Sequence, residues 1–313
     1  MRVIFMGTPE FARVVFEQLC EKYEIVAVCT QPDKPVGRKQ ILTPPPVKLA
    51  ALARGIPVLQ PQKLDSSVSE KIARLGAEAI IVVAYGKILP ESILHIAPCI
   101  NLHASILPAY RGASPIQQMI LSDDREYGIS IMRMDSGLDS GEILAIETMP
   151  RDDRATYTIV SQNLARLGGD TLCEVLAKLG EITPVPQDHS KATYCKKISK
   201  QDGLVDFSSA RLVYKKWLAF NEWPGVYLTS GLKLFDIDLL RYSEAISQDL
   251  NKELATRGEL AGAGEICHIE PCVIACGDGE CLVIGELQAP SKNRVNASVF
   301  LRSRGLQVGD KLC

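Results

Sequence analysis

Residues 101–142 read NLHASILPAYRGASPIQQMILSDDREYGISIMRMDSGLDSGE, and the predicted fold is organised around this stretch. Asn101 and His103 open it, two residues apart, directly after the apolar run 98–100. Because residues two apart on a strand point to the same face, we expect the amide and the imidazole to reach into one site. In an open α/β sheet, ligands bind at the carboxyl ends of the strands. The stretch therefore predicts a site at the end of this strand.

Two acidic residues follow a second predicted strand, Ile129 to Met134. Asp135 and Asp139 lie in the glycine-punctuated loop 135–141. An amide, an imidazole and a carboxylate at strand ends can together stabilise an oxyanion and move a proton. The spacing does not decide which aspartate takes part, since the other could simply cap the turn. The chain has no G-x-S-x-G motif, which argues against a serine hydrolase.

The composition is that of a globular protein with room for two domains. The chain has 313 residues, of which 46% are hydrophobic and 23% are charged,. Its formal net charge of −2 argues against a protein whose whole surface binds nucleic acid, so a nucleic acid would bind at local basic patches,. We find no apolar run typical of a membrane span or a signal peptide. We therefore expect a cytoplasmic monomer with reduced cysteines and no membrane partner.

Strands and helices alternate through residue 104. Apolar strands are predicted at Arg2–Met6, Glu24–Thr30 and Ala79–Tyr85, with helical segments between them,. This alternation predicts an α/β domain with a doubly wound, mostly parallel, Rossmann-like sheet. A single glycine, Gly7, follows the first strand where a dinucleotide site needs G-x-G-x-x-G, so we expect no NAD.

The character of the sequence changes near residue 189. We predict a catalytic domain at 1–188, a basic interdomain linker at 189–206, and a small OB-like β-barrel at 207–313. Short β-rich runs favour the barrel, and Gly277-Asp278-Gly279 predicts a hairpin turn between two of them,. One of these runs predicts a strand over 258–269. In the first domain, a long helix is predicted over 158–179 with an interruption at Gly168-Gly169.

The predicted barrel contains a cluster of metal-ligating residue types. Its members are Cys267, His268, Cys272, Cys276 and Cys281. They include no C-x-x-C pair and alternate with apolar residues as a strand would. We interpret them as buried thiols and expect no metal. His95 and His189 stand alone in the sequence and are assigned no chemical role.

Cations concentrate in a polar loop at 31–46 and in the linker. They are Lys34, Arg38 and Lys39 in the loop, and Lys196, Lys197 and Lys200 in the linker. Most such segments are solvated surface connections. A loop this long in an α/β core nevertheless often serves a ligand, and its cations would suit phosphate groups.

The chain resembles the formyltransferases that use 10-formyltetrahydrofolate in three motifs. These are NLHASILP (101–108), RG (111–112) and DSGLDSG (135–141). The loop TQPDKPVGR (30–38) with PPVK (45–48) is similar to the loop by which tRNA-acting members hold the acceptor end. ACGDG (275–279), LQ (287–288) and SVFL (298–301) are similar to their carboxyl-terminal barrel. The resemblance covers nearly the whole chain. Ile106, Ser140 and Glu142 replace the usual Leu, Thr and Asp, and each keeps the size or charge class.

The resemblance implies a role for each of these segments. It makes Asn101, His103 and Asp139 catalytic, and makes Ser105, Ile106, Leu107 and Pro108 the lining of the folate. It implies methionyl initiator tRNA as the acceptor, held by the 30–38 loop and the barrel. We expect the three loop cations and the three linker cations to contact it, because the loop leaves the sheet at the edge of Asn101 and His103 and the linker lies between the two domains in sequence. The methionine amine would attack the formyl carbon, Asn101 and His103 would donate hydrogen bonds to the oxyanion, and Asp139 would accept the proton.

Three other functions are weighed against this one. A sugar-nucleotide N-formyltransferase shares the folate chemistry, but a nucleotide sugar does not require a long basic loop. A hydrolase that removes the formyl group from the folate would not need the barrel and basic linker. A non-catalytic tRNA-binding module would not need Asn101, His103 and Asp139 together.

Overall fold

The computed structural model describes residues 1–37, 39–242 and 248–312. Arg38, one of the predicted tRNA contacts, lies outside the described residues. The chain divides into two compact units, and each is described by itself. The first comprises Met1–Met119, Asp124–Asp152 and Ile159–Lys197, and the second comprises Ile120–Asp123, Asp153–Thr158 and Ile198–Cys313.

The first unit alternates strands and helices. Its strands are β1 (Arg2–Gly7), β2 (Glu24–Cys29), β3 (Lys34–Val36), β4 (Ile41–Thr43), β5 (Val58–Leu59), β6 (Ala79–Val83), β7 (Cys99–His103), β8 (Arg111–Gly112), β9 (Glu126–Arg133), β10 (Ile143–Pro150) and β11 (Tyr194–Cys195). The helices between Glu10 and Ala177 are α1 (Glu10–Cys20), α2 (Pro46–Ala53), α3 (Ser66–Arg74), α4 (Glu91–Leu94), α5 (Pro115–Leu121) and α6 (Tyr157–Ala177).

One mostly parallel sheet forms the core of this unit. The strand order is β10-β9-β7-β6-β1-β2-β5. β1 pairs in parallel with β2 and β6, and β6 pairs in parallel with β7, whereas β9 and β10 run antiparallel. β6 and β7 are buried along their whole length, as expected of strands covered on both faces,. The predicted doubly wound, mostly parallel sheet is confirmed.

The glycine pair in α6 does not interrupt the helix, contrary to the prediction. A Cβ at Gly168 would lie 2.6 Å from Leu102 Cδ1, and one at Gly169 would lie 2.0 Å from Gln18 Oε1. Both distances are shorter than any ordinary contact. The glycines therefore allow α6 to approach β7 and α1 closely, and this packing keeps the helix continuous despite their low helix propensity.

The loop predicted over 31–46 contains regular structure. β3 and β4 pair antiparallel, with Lys34 opposite Thr43 and Val36 opposite Ile41. Lys34 and Lys39, which the sequence places in an irregular loop, therefore lie on and beside a β-hairpin. The prediction failed because each strand has only three residues, too few for a periodic pattern.

The second unit is built on an antiparallel sheet. Its strands are β12 (Val226–Tyr227), β13 (Lys233–Leu239), β14 (Ile266–His268), β15 (Cys272–Ala275), β16 (Cys281–Gln288) and β17 (Val295–Asn296), and its helices are α7 (Ala210–Phe220), α8 (Gln248–Leu260) and α9 (Ala297–Ser303). The strand order is β12-β13-β16-β15-β14, with β17 on β16. This arrangement agrees with the predicted small β-barrel, and β15 and β16 flank the predicted turn at 277–279.

One predicted strand of this unit is partly wrong. Residues 258–260 end α8, and β14 begins only at Ile266. Leu254 of α8 is buried in a cluster with Cys267 and Val273. The packing of α8 against the sheet therefore stabilises a helix that continues to residue 260.

The segment predicted as a linker, 189–206, contains short pieces of regular structure. β11 pairs in parallel with β8, and 3-10 turns occupy His189–Lys191 and Lys200–Gly203. The last of the five changes between the two units along the chain falls between Lys197 and Ile198, inside this segment. In the described part of the chain, no helix has both the length and the apolar character needed to cross a membrane.

Candidate active site

The candidate site lies at the carboxyl edge of the parallel strands. Gly7 of β1 is in register with Val83 of β6, and Val83 is in register with Leu102 of β7. The loops that follow these three strands therefore leave the sheet from one edge. His103 ends β7 and is paired with Ser130 of the antiparallel β9. This is the edge at which the sequence predicts chemistry.

His103 and Asp139 come together at this edge although they are far apart in the sequence. The His103 ring is only 6% exposed, and its Nδ1 lies 3.7 Å from Asp139 Oδ2. Its Nε2 lies 2.9 Å from the carbonyl oxygen of Tyr110, which can only accept, so Nε2 carries a proton,. The distance from Nδ1 to the carboxylate exceeds that of a hydrogen bond, which leaves Nδ1 uncommitted.

The Asp139 carboxylate is held by backbone. The N–H of Gly112 donates to Asp139 Oδ2 over 2.8 Å. Asp139 itself has φ +49, a left-handed conformation that few non-glycine residues adopt,. A Cβ at Gly112 would lie 2.2 Å from the carbonyl oxygen of Cys195, so only glycine fits where this N–H is presented. The carboxylate is thus fixed by a residue that must be glycine.

Asp135 has a different set of contacts. Its Oδ1 accepts hydrogen bonds from Gly137 N–H and Ser140 Oγ, both at 2.9 Å. Both partners belong to its own loop, so Asp135 caps the turn that follows β9. The geometry distinguishes the two aspartates that the spacing could not, because only Asp139 faces the imidazole.

Asn101 lies two residues before His103 on the buried strand β7. It is 7% exposed, and no hydrogen bond joins its side chain to another residue in the described portion of the chain. The amide nitrogen and oxygen are not themselves fully buried, so the end of this side chain faces solvent at the site. Its N–H groups therefore remain available to a bound molecule.

The loop 105–108 is stabilised from within. Ser130 Oγ donates to the Ser105 carbonyl over 2.7 Å and accepts from the Leu107 N–H over 3.0 Å. Ser105 Oγ donates to the Ala109 carbonyl, and both Ser105 and Leu107 are buried. Ile106 and Pro108 are partly exposed. Of the four predicted folate residues, these two present side chains at the surface of the loop.

Ile106 also lines a cavity of about 500 Å³ beside this loop. The other lining residues are Ala109, Tyr110, Gln118, Met119, Asp124, Arg125, Glu126, Thr193 and Tyr194. Tyr110 is thus shared, because its carbonyl faces His103 while the residue also forms part of the cavity wall.

The predicted tRNA-binding cations that the structure describes are exposed. Lys34 and Lys39 lie on and beside the β3–β4 hairpin, which follows β2 at the same edge of the sheet. Lys196 and Lys197 follow β11, and the Lys196 carbonyl accepts a hydrogen bond from Ser114 Oγ, close to the 111–112 strand. Lys200 belongs to the second unit, where its ammonium lies 5.8 Å from the centroid of the Tyr227 ring.

Sequence reasoning missed a polar cluster behind the Asp139 loop. Gln187 and Arg111 are buried and hydrogen-bonded to each other, and His189, set aside as a lone histidine, accepts a hydrogen bond from Arg111 Nη2. Cys195 is buried beside them, and burial raises the pKa of its thiol. No local pattern could have revealed this cluster, because its members come from distant parts of the sequence.

The loop after β6 was also missed. Thr8 Oγ1 and Gln31 Nε2 both donate to the Tyr85 carbonyl over 3.0 Å. Gly86 has φ +80, and Ile88 exposes most of its side chain. A glycine directly after the apolar strand was the available signal, since such positions often shape ligand loops.

The barrel cysteines show no metal-site geometry. Burial raises the pKa of Cys272 and of Cys276 to about 12. No group of three or more His, Cys, Asp or Glu side chains suited to a metal ion occurs among the residues that the structure describes.

Comparison with known proteins identifies relatives over the whole chain. A family model described as formyl transferase matches residues 1–176, and one described as formyl transferase, C-terminal domain, matches residues 197–305. The methionyl-tRNA formyltransferase of a Nitratiruptor species is 42% identical over 315 residues, covering 99% of this chain and 99% of that relative.

Two solved structures share the fold. HypX from Aquifex aeolicus in complex with tetrahydrofolic acid aligns with 100% of this chain at a TM-score of 0.64 and 14% identity, and this chain spans 50% of HypX. The N-formyltransferase from Helicobacter canadensis, solved with folinic acid and dTDP-3-aminofucose, aligns with 90% of this chain and 98% of its own at a TM-score of 0.64 and 15% identity. At these identities the similarity concerns the fold alone.

Proposed function

The chain belongs to the formyl transferase family, and from this membership we propose that it transfers the formyl group of 10-formyltetrahydrofolate to the α-amine of methionyl initiator tRNA. The observation that carries the proposal is the arrangement on β7. A buried imidazole lies beside a carboxylate, and an amide without a protein partner among the described residues precedes it by two positions on the same strand. These groups match the charges that develop when an amine attacks a formyl carbon.

The chemistry requires one addition and one elimination. The methionine nitrogen forms a bond to the formyl carbon, and the carbonyl oxygen becomes an oxyanion. The tetrahedral carbon then releases N10 of tetrahydrofolate, which takes up a proton, while the attacking nitrogen loses one. Hydrogen-bond donors lower the barrier most when they are in place before the negative charge develops.

Three side chains divide this work in the proposed mechanism. Asn101 donates to the oxyanion through its side-chain N–H. His103 donates through a ring N–H, either by sharing Nε2–H with the Tyr110 carbonyl or through a protonated Nδ1. Asp139 receives the proton from the attacking amine, directly or through one water. Its carboxylate is restrained for this task by Gly112 N–H.

The folate is proposed to bind along the loops at the carboxyl edge. Ser105, Ile106, Leu107 and Pro108 form one wall, with Ser130 bracing it from β9. Ile88 and Leu138 expose apolar side chains on the loops that follow β6 and β9. Apolar surface with a few backbone polar groups suits a flat ring with a hydrogen-bonding edge.

The acceptor is proposed to be held by cations of the loop 31–46 and of the segment 189–206. These are Lys34, Arg38, Lys39, Lys196, Lys197 and Lys200. Phosphate contacts of this kind fix register and orientation of a nucleic acid. The whole protein is slightly acidic, so the binding depends on where these cations lie. We further propose a monomer that acts in the cytoplasm, which sedimentation and cell fractionation test.

A transfer assay tests the proposed function. Purified protein is given 10-formyltetrahydrofolate and either methionyl initiator tRNA or a UDP-amino sugar, and formylated product is quantified. We expect formylated product with the charged tRNA and none with the UDP-amino sugar. Transfer to the sugar but not to tRNA would establish the alternative sugar-nucleotide activity, and release of formate without either acceptor would indicate a hydrolase.

A further inference from the structure

Gln187 is a buried side chain that takes no direct part in the proposed reaction. It is 6% exposed and lies 48 residues after Asp139 in the sequence. Its Nε2 donates to the Asp139 carbonyl over 3.0 Å and to the Gly141 carbonyl over 2.7 Å. The two N–H groups of the amide therefore span the loop that carries the carboxylate facing His103.

The oxygen of the same amide is also hydrogen-bonded. Gln187 Oε1 accepts from Arg111 Nε over 3.2 Å and from Arg111 Nη2 over 2.6 Å. A carboxamide offers two donors and two acceptor positions, and here all four are occupied. Because one side meets only donors and the other only acceptors, the orientation of the amide is defined.

Arg111 restrains the Gln187 amide by holding its oxygen. Its side chain is 3% exposed, and no carboxylate lies within ion-pair distance of it among the described residues. A buried guanidinium must satisfy its donors to remain in the interior. The neighbouring residue, Gly112, donates its N–H to Asp139 Oδ2. Asp139 is thus held at its carboxylate by Gly112 and at its carbonyl by Gln187.

The backbone that precedes Gln187 is hydrogen-bonded to the backbone that follows the 139–141 loop. Val185 and Ile143 exchange two hydrogen bonds, each of 2.8 Å, so the segment before Gln187 is fixed alongside the start of β10. Asp139 has φ +49, a conformation of higher energy that persists when the surroundings impose it,. The contacts of Gln187 supply such a restraint.

We infer that Gln187 is a positioning residue, which holds the 139–141 backbone so that the Asp139 carboxylate faces His103. This inference rests on the proposed role of Asp139 in proton transfer. Displacement of a reacting group by about 1 Å can cost a factor of about 10² in rate. We expect loss of the Gln187 donors to reduce turnover without removing either substrate's binding contacts.

Two substitutions separate the two ends of the amide. Gln187→Glu keeps an acceptor for Arg111 but turns an anionic oxygen toward the Asp139 and Gly141 carbonyls. Gln187→Met keeps the length of the side chain and removes both ends. The matched control is His189→Ala, which removes an acceptor from Arg111 and leaves the hydrogen bonds of Gln187 in place.

Kinetics in two backgrounds give the first readout. We expect Gln187→Glu to lower kcat by about 10- to 100-fold, with KM for both substrates close to that of the unmodified protein, when both are assayed below the thermal midpoint of the variant. In the Asp139→Asn background the same substitution should cost less than about threefold, because the group it positions is already lost. An equal loss in both backgrounds, or a kcat unchanged by either Gln187 substitution, would overturn the inference.

Hydrogen exchange gives a second readout that does not depend on activity. Amides in 135–141 should exchange faster in both Gln187 variants than in the unmodified protein, and at the unmodified rate in His189→Ala. Unchanged exchange would overturn the positioning role even in an active enzyme. Failure of the unmodified protein to transfer formyl would instead refute the proposed function and leave the exchange result as the test of positioning.

Discussion

His103, Asp139 and Asn101 illustrate how much depends on single contacts at the residue scale. Asp135 and Asp139 have the same side chain in the same loop, yet one caps its own turn and the other faces the imidazole 3.7 Å away. The difference arises from Gly112 N–H and the left-handed backbone of Asp139. The role of each aspartate is therefore testable by an isosteric change.

Asp139→Asn should lower turnover much more than Asp135→Asn. Asp139→Asn removes the proposed proton acceptor and should lower kcat for formyl transfer by at least about 100-fold. Asp135→Asn keeps an oxygen for Gly137 N–H and Ser140 Oγ, so kcat should fall by less than about tenfold. Single-turnover transfer at saturating substrates measures both, and a reversed ranking would reassign the acid–base role to Asp135.

Asn101→Ala and His103→Ala should each act on turnover rather than on folate binding. Both donors matter most when charge develops on the oxygen, so each loss should lower kcat by about 100- to 1,000-fold. The folate Kd should change by less than about threefold, which calorimetry measures. A variant that turns over at the rate of the unmodified protein would exclude that residue from the catalytic set.

At the scale of elements, two short pieces of β-structure connect the cations to the sheet. The β3–β4 hairpin is anchored at its base by Asp33, which is bonded to Lys48 Nζ at 2.8 Å and to Gln60 Nε2 at 2.7 Å. β11 pairs with β8 next to Gly112, so the chain that bears Lys196 and Lys197 starts beside the candidate site. Neither element has enough residues for a periodic signal.

The anchor of the hairpin predicts a pH dependence. Hydrogen bonds from Gln60 and Lys48 hold the pKa of Asp33 below its ordinary value. The stability that these bonds contribute is therefore present above the unfolded-state pKa of about 4 and is lost as pH falls through the lower folded-state value. Urea unfolding should show a difference between the unmodified protein and Asp33→Asn that is constant above about pH 5 and shrinks below about pH 4. A difference that does not vary with pH would contradict this account.

Lys196→Glu and Lys197→Glu should each weaken tRNA binding in a salt-dependent way. Each lost phosphate contact should reduce the slope of log affinity against log salt by about 0.7 to 0.9. Lys22→Glu is the matched control, because Lys22 is exposed between α1 and β2, at the opposite edge of the sheet. Filter binding over a salt series measures the slopes, and equal slopes for all four proteins would place the tRNA elsewhere.

At the scale of the whole molecule, the cysteines are distributed as core residues. Eight of the cysteines that the structure describes are buried, and Cys20 is partly exposed. Burial raises the pKa of Cys29, Cys99, Cys272 and Cys276 to about 12. The thiolate is the reactive form, so these four should be inert at neutral pH.

A thiol reagent should therefore label these four cysteines differently in the native and the unfolded protein. At about pH 8, a thiol of pKa near 12 is ionised in about one molecule in 10⁴. We expect these four cysteines to be labelled only after denaturation, while Cys20 reacts first among the described thiols. Mass spectrometry of peptides over time gives the order, and rapid native labelling of Cys272 or Cys276 would contradict their buried position.

The class of the fold and the motifs of the family could be predicted from the sequence alone, and the candidate site was expected at the carboxyl edge of the sheet. These follow from local properties, since strand periodicity, the order of strands and helices, and a motif such as 101–108 are all read within a few residues. The tertiary structure decided which aspartate faces His103, why the Gly168-Gly169 pair lies within a continuous helix, and how Gln187 and Arg111 join the site. These features depend on contacts between residues distant along the chain, whose energies arise only when packing brings the partners together.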